Sequence, residues 1–172
     1  FHQRNMEVEP SLERDQGKGT TTYVWVQKDL PKLQQEPAMP GLAEVSPVLE
    51  ISTFENWDAF NNWYWNLIKK QFEVSPEIRK KVLELTSGLE TDFDRLRKIY
   101  NFVTTEVRYN AWEFGVHGFK PYNAATIFAR RFGDCKDKAT LLSVMLGEAG
   151  ITAYPVLIFA NQRRGEEDLT LP

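Results

Sequence analysis

Sulfur and imidazole are scarce in this chain: Cys135 is its single cysteine, and His2 and His117 are its two histidines among 172 residues. One thiol excludes an intramolecular disulfide and a zinc site built from several thiolates, so stability has to come from packing. No metal site and no cofactor is expected. No apolar run approaches the roughly 20 residues needed to cross a bilayer, so no membrane span is expected either. Lys and Arg form no run, and the formal net charge is −3 from 21 basic and 24 acidic residues. A nucleic-acid partner is therefore not expected. No signal-like segment opens the chain, and the first residue is Phe1 rather than Met. We read that as a chain processed or excised from something longer, which leaves the compartment open, an exported or periplasmic parent included.

What is present is enough for a core: 42% of the residues are hydrophobic and 13% aromatic. The length suits one domain, or one domain with a piece of another. Residues 1–19 are polar, with "RDQGKG" at 14–19 reading as a turn before the strand-forming "TTTYVWVQ". The next stretch carries Pro31, Pro37, Pro40 and Pro47 and reads as an extended connector, followed by "VLEIST" as a short strand. A boundary is placed near residue 50. Residues 1–50 then form a β-rich segment with its linker, and residues 51–172 form the start of a second domain.

Helices dominate after that boundary. Trp57, Phe60, Tyr64, Leu67, Ile68 and Phe72 recur at helical spacing, with Trp63 and Trp65 broadening the face. Ser75 followed by Pro76 starts a second helix, whose stripe is Ile78, Val82 and Leu85 and whose end is Gly88. Thr91 and Asp94 resemble a capping box for a third helix carrying Phe93, Leu96, Tyr100 and Val103. A short extended segment and loop follow, then a brief helix over 123–130. The most strongly marked helix begins at "GDCKDKATLL" and closes near Gly150; "ITAYPVLIFA" reads as a mostly buried strand.

Cys135 sits at the start of that helix. The helix dipole and unpaired amides there favour a thiolate, as would Lys136 and Lys138 if near the sulfur, whereas Asp134 and Asp137 oppose it. Asp134 is also a candidate helix cap. From residue type alone, a lone cysteine reads more readily as a small buried hydrophobe than as a catalyst.

The surrounding pattern points to chemistry instead. "FGDCKDKATLLSVMLGEAGITAYPVLI", with "IYNFVTTEVRYN" and "KPYNAATIFARRFGDC" before it, resembles the cysteine segment of the transglutaminase-like superfamily. The stretch from "YVWVQ" to "NWDAF" is similar to the end of a β-rich domain of unknown function that precedes such domains in certain bacterial proteins. The resemblance implies an α+β, papain-like core in which the helix bearing the nucleophile packs on an antiparallel sheet, here incomplete at its C-terminal end. It implies that Cys135 attacks an amide carbonyl of a peptide or protein to form a thioester, resolved by water as in a thiol protease or by an amine as in an acyltransferase.

The family's His and Asp follow the cysteine helix, yet no histidine follows Cys135. His117, eighteen positions upstream, is a poor candidate base and His2 a poorer one, while Asp168 reads as a solvated charge. The simplest expectation is that the base lies beyond residue 172 and that this chain alone is inactive. Trp112 and Tyr109 are candidates to line the site, with core packing the blander reading. The alternative function is an inactive binding module for a peptide or cell-envelope ligand, using the aromatic helix at 57–72. A sheet lacking strands also suggests self-association through an exposed edge.

Overall fold

Asp15 makes the first tight turn: its Oδ1 accepts hydrogen bonds from the amides of Gly17 (2.9 Å) and Lys18 (3.2 Å), and Gly19 follows with φ of +63°. In the computed structural model of the chain, residues 1–34, 36–111, 113–158 and 170–172 are described. Two compact units are formed, one by Phe1–Phe60 with the described residues at the end of the chain, the other by Asn61–Leu157.

The first unit is built from small pieces. Strand β1 (His2–Arg4) is followed by a hairpin of β2 (Ser11–Asp15) and β3 (Thr20–Val24), closed by the Asp15 turn. A single helical turn, α1 (Leu42–Val45), interrupts the proline-rich connector, and β4 (Val48–Glu50) then pairs antiparallel with β1. The expected turn at 14–19 and the strands at Thr20 and Val48 are all found. Strands β1 and β2 lie in the stretch read only as polar, because short edge strands carry no apolar alternation to betray them.

Helices make the second unit. Helix α2 (Trp57–Ile68) tightens into a 3₁₀ turn over Lys69–Phe72 that packs against the cysteine helix described below. Ser75 caps α3 (Pro76–Thr86), its hydroxyl accepting from the amide of Ile78 at 3.3 Å, and Pro76 takes the first position where no donor is needed. Thr91 caps α4 (Asp92–Glu106) by accepting from the amide of Asp94 at 3.1 Å. The Asp94 carboxylate accepts from the Thr91 hydroxyl at 2.7 Å. The capping box is thus closed through side chains instead of reaching back to the Thr91 amide.

Strand β5 (Arg108–Tyr109) leads through a 3₁₀ turn at Gly115–Gly118 to α5 (Ala124–Arg130), capped by Asn123. Arg131 ends α5 in the left-handed region, φ +57°, where a side chain costs energy. Its guanidinium is held there over the rings of Phe128 (4.1 Å) and Phe102 (4.8 Å). Strand β6 (Phe132–Gly133) pairs parallel with β5 and feeds α6 (Cys135–Glu148), after which Gly150 turns the chain at φ +82°.

The core lies among α3, α4, α5 and α6. Ile78, Val82, Ile99, Val103, Val107, Ile127, Leu141 and Met145 are all but inaccessible to solvent, and each buried aliphatic contributes about 1.5–3 kcal/mol. One expected face is corrected. Of the expected α4 stripe only Val103 is buried; Phe93, Leu96 and Tyr100 are exposed, and Ile99 turns inward beside Val103. The α4 sequence offers two apolar stripes, and contact with α3 and α6 selects the aliphatic one.

The segment after α6 also differs from expectation. Residues 151–158 form no strand, and Tyr154, Val156 and Ile158 are 75–80% exposed. A strand needs a ladder partner, and among the described residues none pairs with this run. Residues 159 and 160 of the expected strand lie outside the described residues. The α+β class stands, with the helices preponderant and only short strand pairs beside them. No helix among the described residues is long and apolar enough to cross a membrane.

Candidate functional site

The tripeptide Gly133-Asp134-Cys135 puts three different requirements at three adjacent positions. A Cβ on Gly133 would lie 2.6 Å from the Cβ of Asp137 and 2.7 Å from its Oδ2, so only glycine fits against the first turn of α6. Asp134 is the helix cap. Its Oδ1 accepts from the Asp137 amide at 3.1 Å, and its other oxygen accepts from the Lys136 ammonium. Cys135 is the first helical residue, exposed, while Gly133, Asp134 and Asp137 around it are buried. The buried-hydrophobe reading of this cysteine is thereby set aside.

Asp137 anchors the turn from beneath. It is fully buried; Oδ1 accepts from the Tyr122 amide at 2.8 Å and Oδ2 from the Arg130 guanidinium at 2.6 Å. That guanidinium also lies 4.1 Å from the Tyr122 ring and 4.7 Å from the Phe132 ring. The loop before α5, the end of α5 and the start of α6 are therefore locked together around one carboxylate. Lys138 is directed elsewhere, donating to the carbonyls of Val107 (2.7 Å) and Thr104 (3.3 Å) at the end of α4. Of the two lysines that were candidates to favour the thiolate, Lys136 is bound to Asp134 and Lys138 to α4.

We expect Gly133→Ala to be poorly tolerated, since the added methyl must displace the buried Asp137 carboxylate. The loss should be about 2 kcal/mol or more, typical of overpacking a rigid site, and urea unfolding measures it. A loss below about 0.5 kcal/mol would show that the turn yields.

The charge at Cys135 acts on two phenols. Tyr109 pairs in register with Gly133 across the β5–β6 ladder. Its hydroxyl is held above the ordinary 10.0 chiefly by the charge of Cys135, then by burial, by Asp134 and by a hydrogen bond to Cys135, with Lys136 opposing. Tyr64, from α2, is raised first by burial and then by Cys135 and Asp134. Its hydroxyl donates to the Phe119 carbonyl at 3.2 Å. Both therefore stay protonated, as donors, across neutral and mildly alkaline pH. The sign gives a test. In Cys135→Ala the Tyr109 phenol should ionise at lower pH than in the wild type, with Tyr64 moving less because burial dominates there. An unmoved Tyr109 titration, followed by phenolate absorbance, would mean that the two groups are not in contact.

The remaining candidates are placed as follows. His117 directs Nδ1 at the Lys120 carbonyl, 3.0 Å away, and stacks on Tyr122 with centroids 4.0 Å apart. It is not hydrogen-bonded to Cys135. His2 lies in the other unit, 3.4 Å from Glu50. Trp112 and Asp168 lie outside the described residues. Glu113, unremarked in the sequence, brings a carboxylate oxygen within 4.8 Å of oxygens of Asp134 and Asp137. These three are the group among the described residues that could hold a cation, but both aspartates already carry a cationic side chain. Glu113 Oε2 is buried without a hydrogen-bond partner.

Comparison with known proteins bears on the fold and the family. The fold matches a crystal structure of a protease candidate from Parabacteroides distasonis with a TM-score of 0.69 at 22% identity. The match covers 88% of this chain and 29% of that one, so the chain spans less than a third of its structural neighbour. No curated protein matches the sequence. The profile of the transglutaminase-like superfamily matches residues 79–167, more than half of the chain and all of the segment from α4 through the cysteine helix. This chain belongs to the transglutaminase-like superfamily.

Proposed function

We propose that the protein acts on peptide or other amide bonds through Cys135, in a hydrolase or an acyltransferase of the thioester type. The observation that carries this reading is the placement of an exposed thiol at the first position of α6, beside the Tyr109 hydroxyl, on a turn clamped from below by Asp137. Such a thiol is accessible to a carbonyl and does not depend on its own burial for the fold.

The steps follow from the chemistry of the groups. The thiolate attacks the amide carbon, a C–S bond forms, and the carbonyl π electrons move to oxygen. Amides of Cys135 and Lys136, which precede the first intrahelical hydrogen bond, are suited to that oxyanion, and so is the Tyr109 hydroxyl. As the oxyanion collapses, the C–N bond breaks and the amine leaves with a proton from a general acid. Water or a second amine then attacks the thioester and returns the thiolate. The acid–base residue that receives and delivers the proton is, in this reading, outside the described residues, as is the acid that orients it.

Amide turnover by the full-length protein and by Cys135→Ala, with mass analysis for an acyl adduct on the peptide containing Cys135, is the deciding experiment. Equal turnover by both, or an adduct elsewhere, removes Cys135 from the mechanism. Trp57, Trp63 and Trp65 are each 40–47% exposed, and this favours the second reading, a binding module, should no amide be turned over. The assignment of residues 1–50 to the end of a preceding β-rich domain is part of the same proposal.

A further inference from the structure

From Ile151 to Val156 exposure alternates residue by residue: Ile151, Ala153 and Pro155 are half-buried, whereas Thr152, Tyr154 and Val156 are exposed. Ile151 and Ala153 pack against the helical core, while Tyr154 and Val156 are 80% and 75% exposed. A period of two belongs to a strand that lays one face on a core. This segment keeps that period although no ladder partner lies beside it among the described residues. It lies wholly within the unit that carries Cys135.

The two edges of the segment differ. In extended chain the N–H and C=O of one residue point to one edge and those of the next residue to the other. On the edge served by Ile151, Ala153 and Pro155, the Ile151 amide already donates to the Leu146 carbonyl at 2.9 Å, and Pro155 has no N–H to give. On the edge served by Thr152, Tyr154 and Val156, every amide and carbonyl is present, and none has a hydrogen-bond partner among the described residues. An intact row of backbone donors and acceptors is a template for another strand. No charged residue stands between Ala149 and Leu157, so the usual guards of an exposed edge are missing, and Pro155 protects only the opposite one. Charges on this edge would repel those of an identical strand laid against it; with none there, like pairs with like unopposed.

We propose that the edge of Thr152, Tyr154 and Val156 pairs antiparallel with the same edge of a second copy of this chain, about a two-fold axis at Tyr154. In that register Tyr154 stands opposite the second copy's Tyr154 as a hydrogen-bonded pair, and Thr152 stands opposite Val156. Every bare amide and carbonyl of the edge is then used, and the two phenol rings meet as a cross-strand aromatic pair. Ile151 and Ala153 stay on their own core, so neither copy has to unfold. Because the other edge is blocked at Ile151 and Pro155, pairing stops at the dimer.

Sedimentation equilibrium on the 172-residue chain tests this. A monomer–dimer equilibrium is expected, with no larger species. Tyr154→Lys and Tyr154→Glu each set like charges face to face and should weaken dimerisation about tenfold; the site is exposed, so the helical circular dichroism should not change. An equimolar mixture of the two variants sets Lys against Glu and should restore association to within about threefold of the wild type. General stickiness of an apolar patch would give no such rescue. A second set covers the case in which either variant misfolds: Thr152→Lys with Val156→Glu in one chain should dimerise, while Thr152→Lys with Val156→Lys should not. A wild-type chain that is monomeric at every concentration overturns the proposal, and a Tyr154 amide protected from hydrogen exchange in that monomer would assign the edge to another stretch of polypeptide. A dimer that survives the single charges, or that the mixture fails to restore, overturns it too, since the contact then lies elsewhere or in another register.

Discussion

In the full-length protein, Cys135→Ala should abolish amide turnover while leaving stability within about 0.5 kcal/mol of the wild type. The first half follows from the mechanism. Where the nucleophile of an intact catalytic triad is removed, kcat falls by about 10⁶, and what survives comes from binding and from oxyanion donors. The second half follows from the structure, since Cys135 is exposed and fills no void, and surface substitutions away from special features change stability little. Had the thiol been a core side chain, truncation to alanine would cost a measurable cavity term instead. Steady-state kinetics and urea unfolding on the same preparation therefore separate a nucleophile from a packing residue. Turnover falling only in proportion to lost folded protein would assign the cysteine a structural role.

Asp137→Ala should destabilise the chain by about 3–5 kcal/mol, the usual cost of removing one partner from a buried ion pair. The substitution leaves the guanidinium of Arg130, a side chain only 19% exposed, without its counter-charge, and orphans the Tyr122 amide. For a chain of this length each kcal/mol lowers Tm by about 2–4 °C, so thermal unfolding should shift by roughly 10 °C. Pairing the change with Arg130→Met should recover part of the loss, because the unpaired charge is then gone. A single-variant loss under about 1 kcal/mol would show that the Asp137 hub is not what secures the cysteine turn.

Local signals in the sequence survived in the structure where the physics is itself local. The caps at Ser75, Thr91 and Asp134 need only a side-chain oxygen three residues before an amide. The glycine at 150 needs only a left-handed turn after the last helical residue. The position of Cys135 at a helix start was legible for the same reason, whereas its reading as a nucleophile came from the family resemblance. The inward face that could be read, Ile78 with Val82, lies on a helix whose aliphatic stripe has no rival.

The misreadings have a common cause. Whether α4 buries Phe93 or Ile99 depends on which helices lie against it, and periodicity alone does not contain that information. The apolar run at 151–158 was read as buried from composition, whereas burial of a strand depends on a partner distant in sequence. Tyr64 was taken for one member of a helical stripe. Its hydroxyl reaches across 55 positions to the carbonyl of Phe119, a partner that periodicity does not reveal. Glu113, in a loop without a pattern, carried no signal that its carboxylate would be drawn toward Asp134 and Asp137.

By itself, then, the order of residues determined where helices start and stop and that a thiol stands at the head of one of them, since caps, prolines and glycines act over three or four residues of backbone. Only the tertiary structure decided that this thiol is open to solvent, that the Tyr109 hydroxyl lies beside it, and that Asp137 fixes its turn from below. Those are relations among side chains brought together by burial, and burial is a property of the whole packed core.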